Sequence, residues 1–187
     1  MERPALLMID VQREYFTRTS PLWIPDGTAV LDRLADLLAQ ARAAGVSVVH
    51  VQHHEAADSP VFAAGTAAVE TMPEVMPVGQ EPTIVKGLPG AFDGTDLDST
   101  LEQLGSRTIV IAGFMTHMCC DTTAREANAR GFEVVFLTDG TATRDLIGRN
   151  GQTIPHDVVH ETTLAAQADG FSTLLDVAAA GKAFADG

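Results

Sequence analysis

Three residues of this 187-residue chain could share one reaction: Asp10, Lys86 and Cys119. A cysteine attacks as its thiolate, so a base must take the proton. Asp10 could receive it and later give it to a leaving amine. The Lys86 ammonium would keep both carboxylate and thiolate charged and in place. Backbone N–H groups between Met115 and Cys119 would bind the oxyanion. Taken singly, each residue has a plainer reading. An Asp after a strand caps a turn, a Lys after a strand is a solvated end, and a Cys opening a helix is a small inert hydrophobe.

The pattern of elements brings the three together. Residues 4–11, PALLMIDV, form an apolar run ending on a carboxylate and read as a buried strand. Residues 28–44 place Val30, Leu31, Leu34, Leu37, Leu38 and Ala41 at helical spacing, and Gly45 stops the helix. VSVVHV at 46–51 is a second β-branched run, so the chain opens with a βαβ unit and predicts a parallel sheet with helices on both faces. Residues 52–82, with four prolines, read as a long irregular and functional excursion. Strands follow at 83–86, ending on Lys86, and at 108–112. A short helix at 96–104 lies between them, and a further helix runs from about Cys119 to Arg130. A strand at 133–137, a polar loop at 138–153, a helix from Pro155 to about Ala168 and an edge strand at 171–175 complete the reading. Asp10, Lys86 and Cys119 all fall beyond carboxyl ends of strands, where open α/β sheets bind ligands. The helix start at Cys119 favours a thiolate.

The rest of the composition sets limits. The size predicts one domain over 1–187, with a core that needs no staples. The two cysteines, Cys119 and Cys120, are neighbours, so they tie no distant segments together, and free thiols suit a cytoplasmic setting. No run is long enough to cross a bilayer, and the N-terminus has no signal-peptide pattern. A net charge of −13 repels phosphate backbones, so nucleic acid is not expected as a partner.

Four stretches resemble one known family: LLMIDVQREYF at 6–16, VKGLPGAF at 85–92, the run from Ile109 to Thr143, and HETTLAAQADGF at 160–171. They are similar to the isochorismatase-like hydrolases, and within them to the cysteine branch that includes nicotinamidases and N-carbamoylsarcosine amidohydrolases. The nucleophile motif of that branch, G-x-x-T-x-x-C, is matched by Gly113-Phe114-Met115-Thr116-His117-Met118-Cys119. The resemblance implies a three-layer α/β/α fold around a six-stranded mostly parallel sheet, and a homodimer or homotetramer. It implies that Asp10, Lys86 and Cys119 form a triad acting on a small-molecule amide, lactam or ureide through an acyl-cysteine. It also implies a cis peptide between Phe114 and Met115 that turns the Met115 N–H toward the oxyanion, beside that of Cys119. Cys120 is then a buried small side chain.

Nicotinamidases hold a metal after the second strand through an Asp-x-His pair. Here His53 and Glu55 fall at those positions, within the cluster His50, His53, His54 and Glu55, and neither metal nor other cofactor is expected. One of the three histidines, taken as His54, faces the pocket mouth. Gln12, Phe16, Trp23 and Phe92 are the remaining candidates for substrate contact, the aromatics by stacking. His117 is a loop or interface residue, His156 and His160 lie on a helix surface, and Thr141 and Thr143 shape the entrance. Two alternatives stand beside amide hydrolysis. One is isochorismate-type vinyl ether hydrolysis, whose enzymes lack the cysteine. The other is a non-catalytic scaffold or thiol sensor.

Overall fold

A computed structural model describes all 187 residues. Its centre is a six-stranded sheet in the order β3-β2-β1-β4-β5-β8, every pair parallel. The strands are β1 (Pro4–Ile9), β2 (Ser47–His53), β3 (Thr83–Lys86), β4 (Thr108–Phe114), β5 (Glu133–Ala142) and, after a separate antiparallel hairpin of β6 (Leu146–Ile147) and β7 (Thr153–Ile154), β8 (Thr173–Leu175). The helices are α1 (Gly27–Ala43), α2 (Leu97–Gln103), α3 (Asp121–Ala129), α4 (His156–Gly170) and α5 (Val177–Ala185). No helix is long and apolar enough to cross a membrane.

The apolar runs of the sequence are central strands covered on both faces. All seven residues of β4 are buried, as are five of the six in β1. Side chains alternate across the sheet. Leu6 and Met8 therefore join Leu34, Leu38, Ala180 and Phe184 under α1 and α5, while Ala5, Leu7 and Ile9 join Leu97, Leu101, Ala124 and Leu164 under α2, α3 and α4. The result is the three-layer architecture expected from the sequence.

Some elements differ from the sequence reading. β5 continues to Ala142, and the polar 138–153 stretch contains the β6–β7 hairpin. Helix α5 was not foreseen, because VAAAGKAFA offers small residues and an interior glycine rather than an apolar stripe. Gly181 faces the Gln40 side chain of α1, which a Cβ there would have to displace.

The 54–82 excursion is tied down at its far end. Arg42 of α1 grips Glu81 with Nε to Oε1 at 2.8 Å and a terminal nitrogen to Oε2 at 2.7 Å. Buried His50 on β2 and the Val78 N–H reach Glu81 Oε2 at 2.9 and 3.0 Å. Burial acts to raise the Glu81 pKa, but these donors outweigh it and hold the carboxyl at about 2. Burial likewise lowers His50, which stays neutral.

The order β3-β2-β1-β4-β5-β8 reverses direction between β1 and β4. At that switch point the two strands send their following chains apart and leave a crevice. Gly113 lets β4 run close against β1 at this point. Its φ is +118°, and a Cβ there would lie 2.0 Å from the carbonyl oxygen of Ile9 on β1.

Two predictions follow from this architecture. Gly113→Ala must force β4 from β1 and should cost about 3 kcal/mol or more, read as a drop in the urea midpoint; an unchanged midpoint would contradict the close approach. Glu81 has a depressed folded pKa, so its stabilisation is complete above pH 4.5 and is lost as pH falls toward 2. Glu81→Gln should therefore flatten the acid limb of the stability curve, by on the order of 2 kcal/mol, without changing its slope above pH 7.

Candidate active site

Asp10 follows β1 with φ +50°, a left-handed conformation that Asp tolerates better than most residues. Its N–H donates to Val51 O at 2.9 Å, and its side chain is completely buried. Lys86 closes β3, two strand spacings away from β1, roughly 10 Å. Its side chain crosses the end of β2 and brings Nζ to 2.8 Å from Asp10 Oδ2, with both side chains at zero exposure. Cys119 comes from the other side of the crevice. The Phe114–Met115 peptide that ends β4 is cis. Residues Thr116–Cys120 then form a π-helical turn before α3, braced by the Met118 and Cys120 N–H groups donating to Met115 O. Single π turns recur at functional sites. Lys86 Nζ donates to Cys119 Sγ at 3.4 Å, so the three chemical candidates meet at one ammonium.

The ammonium has more neighbours. Nζ donates to His53 Nδ1 at 3.1 Å and to Leu88 O at 3.1 Å. His53 ends β2 directly beside Lys86 in the strand register. Its Nε2 meets Glu55 Oε1 at 2.8 Å. Lys86 thus has four acceptors for three protons: His53, Leu88, Cys119 and Asp10. Asp10 Oδ2, at 2.8 Å, is the shortest contact of the ammonium, and Asp10 Oδ1 has no protein hydrogen-bond partner.

Asp10, His53 and Cys119 converge with donor atoms within 4.8 Å of one another, the kind of set that could hold a metal ion. Lys86 Nζ lies within 3.4 Å of a donor atom of each, so the cation of this cluster is the ammonium. The wider cluster proposed from the sequence does not converge. His50 turns to Glu81, and His54 to Gln52 at 3.3 Å, because alternate residues of β2 face opposite sides of the sheet.

Burial raises the Cys119 thiol above its usual range, Asp10 adds to this, and Lys86 opposes it. The resting sulfur therefore carries its proton. The expected helix start is corrected: α3 begins only at Asp121, and Cys119, 5% exposed, lies in the π-helical turn before it. Burial first, and then Cys119 and Asp10, also hold the Tyr15 phenol well above its normal range, so a neutral hydroxyl accompanies the thiol. Tyr15 packs edge-on against Phe62 and Phe114, and nothing in its local sequence pattern marks it.

The predicted contact residues divide. Gln12 is fully buried, and its amide is spent on backbone: Nε2 donates to His53 O at 3.0 Å and Val69 O at 2.9 Å, and Oε1 accepts from His53 N at 2.8 Å. It fixes the end of β2 and has no group left for substrate. Phe92 is also a correction, since its ring is buried against Phe132 with the Arg130 guanidinium 4.5 Å from its centroid. Phe16 is half-buried and packs edge-on against Phe114, just before the nucleophile turn. Trp23 is half-buried with Arg18 over its ring. His54 is half-buried, its N–H bonded to Lys86 O at 2.9 Å, and burial and then His53 lower its pKa. His160 is no plain surface residue, for it bridges Thr116 Oγ1 at 2.9 Å and Thr138 O at 2.8 Å. His117 contacts buried Thr143, so these two histidines brace the nucleophile turn against β5 and the chain that follows it.

Residues 4–179 match the family model for the isochorismatase domain. The chain belongs to the isochorismatase family. It is 35% identical over 170 residues to a secreted isochorismatase effector, Isc1, of Verticillium dahliae, covering 91% of this chain and 86% of that protein. It is 31% identical over 185 residues to nicotinamidase 3 of Arabidopsis thaliana, covering 92% and 84%. A crystal structure of an isochorismatase from Pseudomonas putida KT2440 superposes with a TM-score of 0.90 at 32% identity, over 95% of this chain and 89% of that one. The fold and the hydrolase family are therefore those the sequence motifs implied.

The ion pair at the centre of the site yields a stability prediction. Lys86→Met strands the Asp10 charge in the interior and should cost about 3–5 kcal/mol. Asp10→Asn combined with Lys86→Met removes both charges and should recover much of the loss in chemical denaturation. Additive losses in the double variant would show that the two side chains do not interact.

Proposed function

We propose that this isochorismatase-family hydrolase cleaves the carbon–nitrogen bond of a small amide, lactam or ureide through an acyl-cysteine. The observation that carries this reading is the single ammonium joining Asp10 and Cys119, at 2.8 and 3.4 Å, with Asp10 Oδ1 left to accept a proton.

The steps follow from these groups. Asp10 takes the thiol proton as Sγ attacks the substrate carbonyl carbon. Lys86 offsets the negative charge as it passes from carboxylate to sulfur, and the Met115 and Cys119 N–H groups receive the developing oxyanion. The carbon–nitrogen bond breaks, and Asp10 returns the proton to the leaving amine. Water then attacks the thioester while Asp10 accepts its proton. The acid departs and the thiol is restored. A thiol that is protonated at rest suits this sequence, because proton transfer and attack are coupled and no exposed thiolate waits in the free enzyme. The name of the nicotinamidase relative points to the same bond type.

A screen for released ammonia or amine over small amides, carbamoyl compounds and lactams tests this. Hits should fall by about three orders of magnitude or more in Cys119→Ser, with the fold retained. Full turnover in Cys119→Ala would overturn the proposal. A second reading, vinyl ether hydrolysis, is favoured by the names of the Verticillium relative and of the Pseudomonas structure; isochorismate turnover surviving in Cys119→Ala would select it.

A further inference from the structure

We propose that His53 is a positioning residue for the nucleophile, with Glu55 setting its tautomer. This rests on the Asp10–Lys86–Cys119 reading and adds a fourth and fifth member to it.

The argument begins with a proton count. A lysine ammonium has three N–H bonds and no acceptor. Four groups surround Lys86 Nζ: Asp10 Oδ2, His53 Nδ1, Leu88 O and Cys119 Sγ. With His53 and Leu88 each drawing one proton, the third is divided between Asp10 Oδ2 and the sulfur, and Asp10 Oδ1 stays open for the thiol proton. Without an acceptor at His53, the freed N–H would turn to the adjacent carboxylate at 2.8 Å, its strongest available partner. Asp10 would then be a poorer base, and Cys119 would lose its aimed cation.

His53 can accept at Nδ1 only if its own proton is on Nε2. Glu55 Oε1, at 2.8 Å from Nε2, requires that tautomer, because a carboxylate accepts and does not donate. Gln12 holds the His53 backbone from both its N–H and its carbonyl, and Phe62 packs edge-on to the imidazole at 5.1 Å. The ring is therefore fixed in place as well as in protonation. Topology makes this arrangement necessary. β2 lies between the strands carrying Asp10 and Lys86, so a lysine crossing its end must pass the residue there.

The test uses iodoacetamide as the probe, with the adduct mapped to Cys119 by peptide mass spectrometry at pH 8. His53→Phe keeps the bulk of the ring and removes the acceptor. His53→Asn restores an acceptor close to the Nδ1 position but does not reach Glu55, so both variants lose the same contact to Glu55. The His53→Phe variant should alkylate about tenfold more slowly, and His53→Asn should stay within about twofold of the parent protein. Glu55→Ala, a change at a partly exposed side chain, should give an intermediate drop and serves if His53→Phe does not fold. Equal rates in the parent and His53→Phe, or equal slowing in His53→Phe and His53→Asn, would overturn the proposal. Failure of the triad itself reads out differently, as amide hydrolysis that survives Cys119→Ser whatever the His53 variants do.

Discussion

One buried ammonium organises this molecule. Lys86 sits at zero side-chain exposure, and a bare charge there would be prohibitively costly. It is tolerated because Asp10 neutralises it and shares its three protons with His53, Leu88 and Cys119. The same requirement acts in reverse on Asp10, whose oxygens have no other cation. Each member is held by the need of the others, so the geometry is set by electrostatic satisfaction as much as by packing.

The sheet makes that convergence possible. Parallel strands covered on both faces place their polar terminal residues along one rim, and the reversal between β1 and β4 opens a crevice in it. Gly113 lets β4 run against Ile9, and the π-helical turn after the cis peptide delivers Cys119 into the crevice. His117 and His160 brace that turn from Thr143, Thr116 and Thr138, so Cys119 is carried on a backbone fastened to neighbouring elements.

How much of this was legible in the sequence depended on whether the signal was local. PALLMID and TIVK show a buried strand ending on a charged residue, and that pattern placed Asp10 and Lys86 at one rim. The glycine-to-cysteine motif located the nucleophile loop. Side-chain partnerships across long separations leave no such trace. Gln12 looked free to meet a ligand because nothing near it in sequence shows that His53 and Val69 occupy its amide. Phe92 looked like a stacking platform, yet Arg130 and Phe132 cover its ring. His53 was read as a residue at a nicotinamidase metal position with no metal expected; its contact with Lys86 follows from strand order, which the apolar runs do not specify. The start of α3 was placed two residues early because the π-helical turn before it leaves no mark in the sequence pattern.

The position of Lys86 has a thermodynamic consequence. β3 is four residues long, lies at the sheet edge and pairs only with β2, and Val85 on it is half exposed. Edge segments of this kind open locally at a fraction of the free energy of global unfolding. The chemistry of the site is therefore coupled to the fraying of one short strand. Opening β3 withdraws the ammonium, and loss of the ammonium's partners removes what anchors β3. The closed Asp10–Lys86–Cys119 cluster and the paired state of β3 belong together, with a free energy of opening that can differ from that of the domain as a whole.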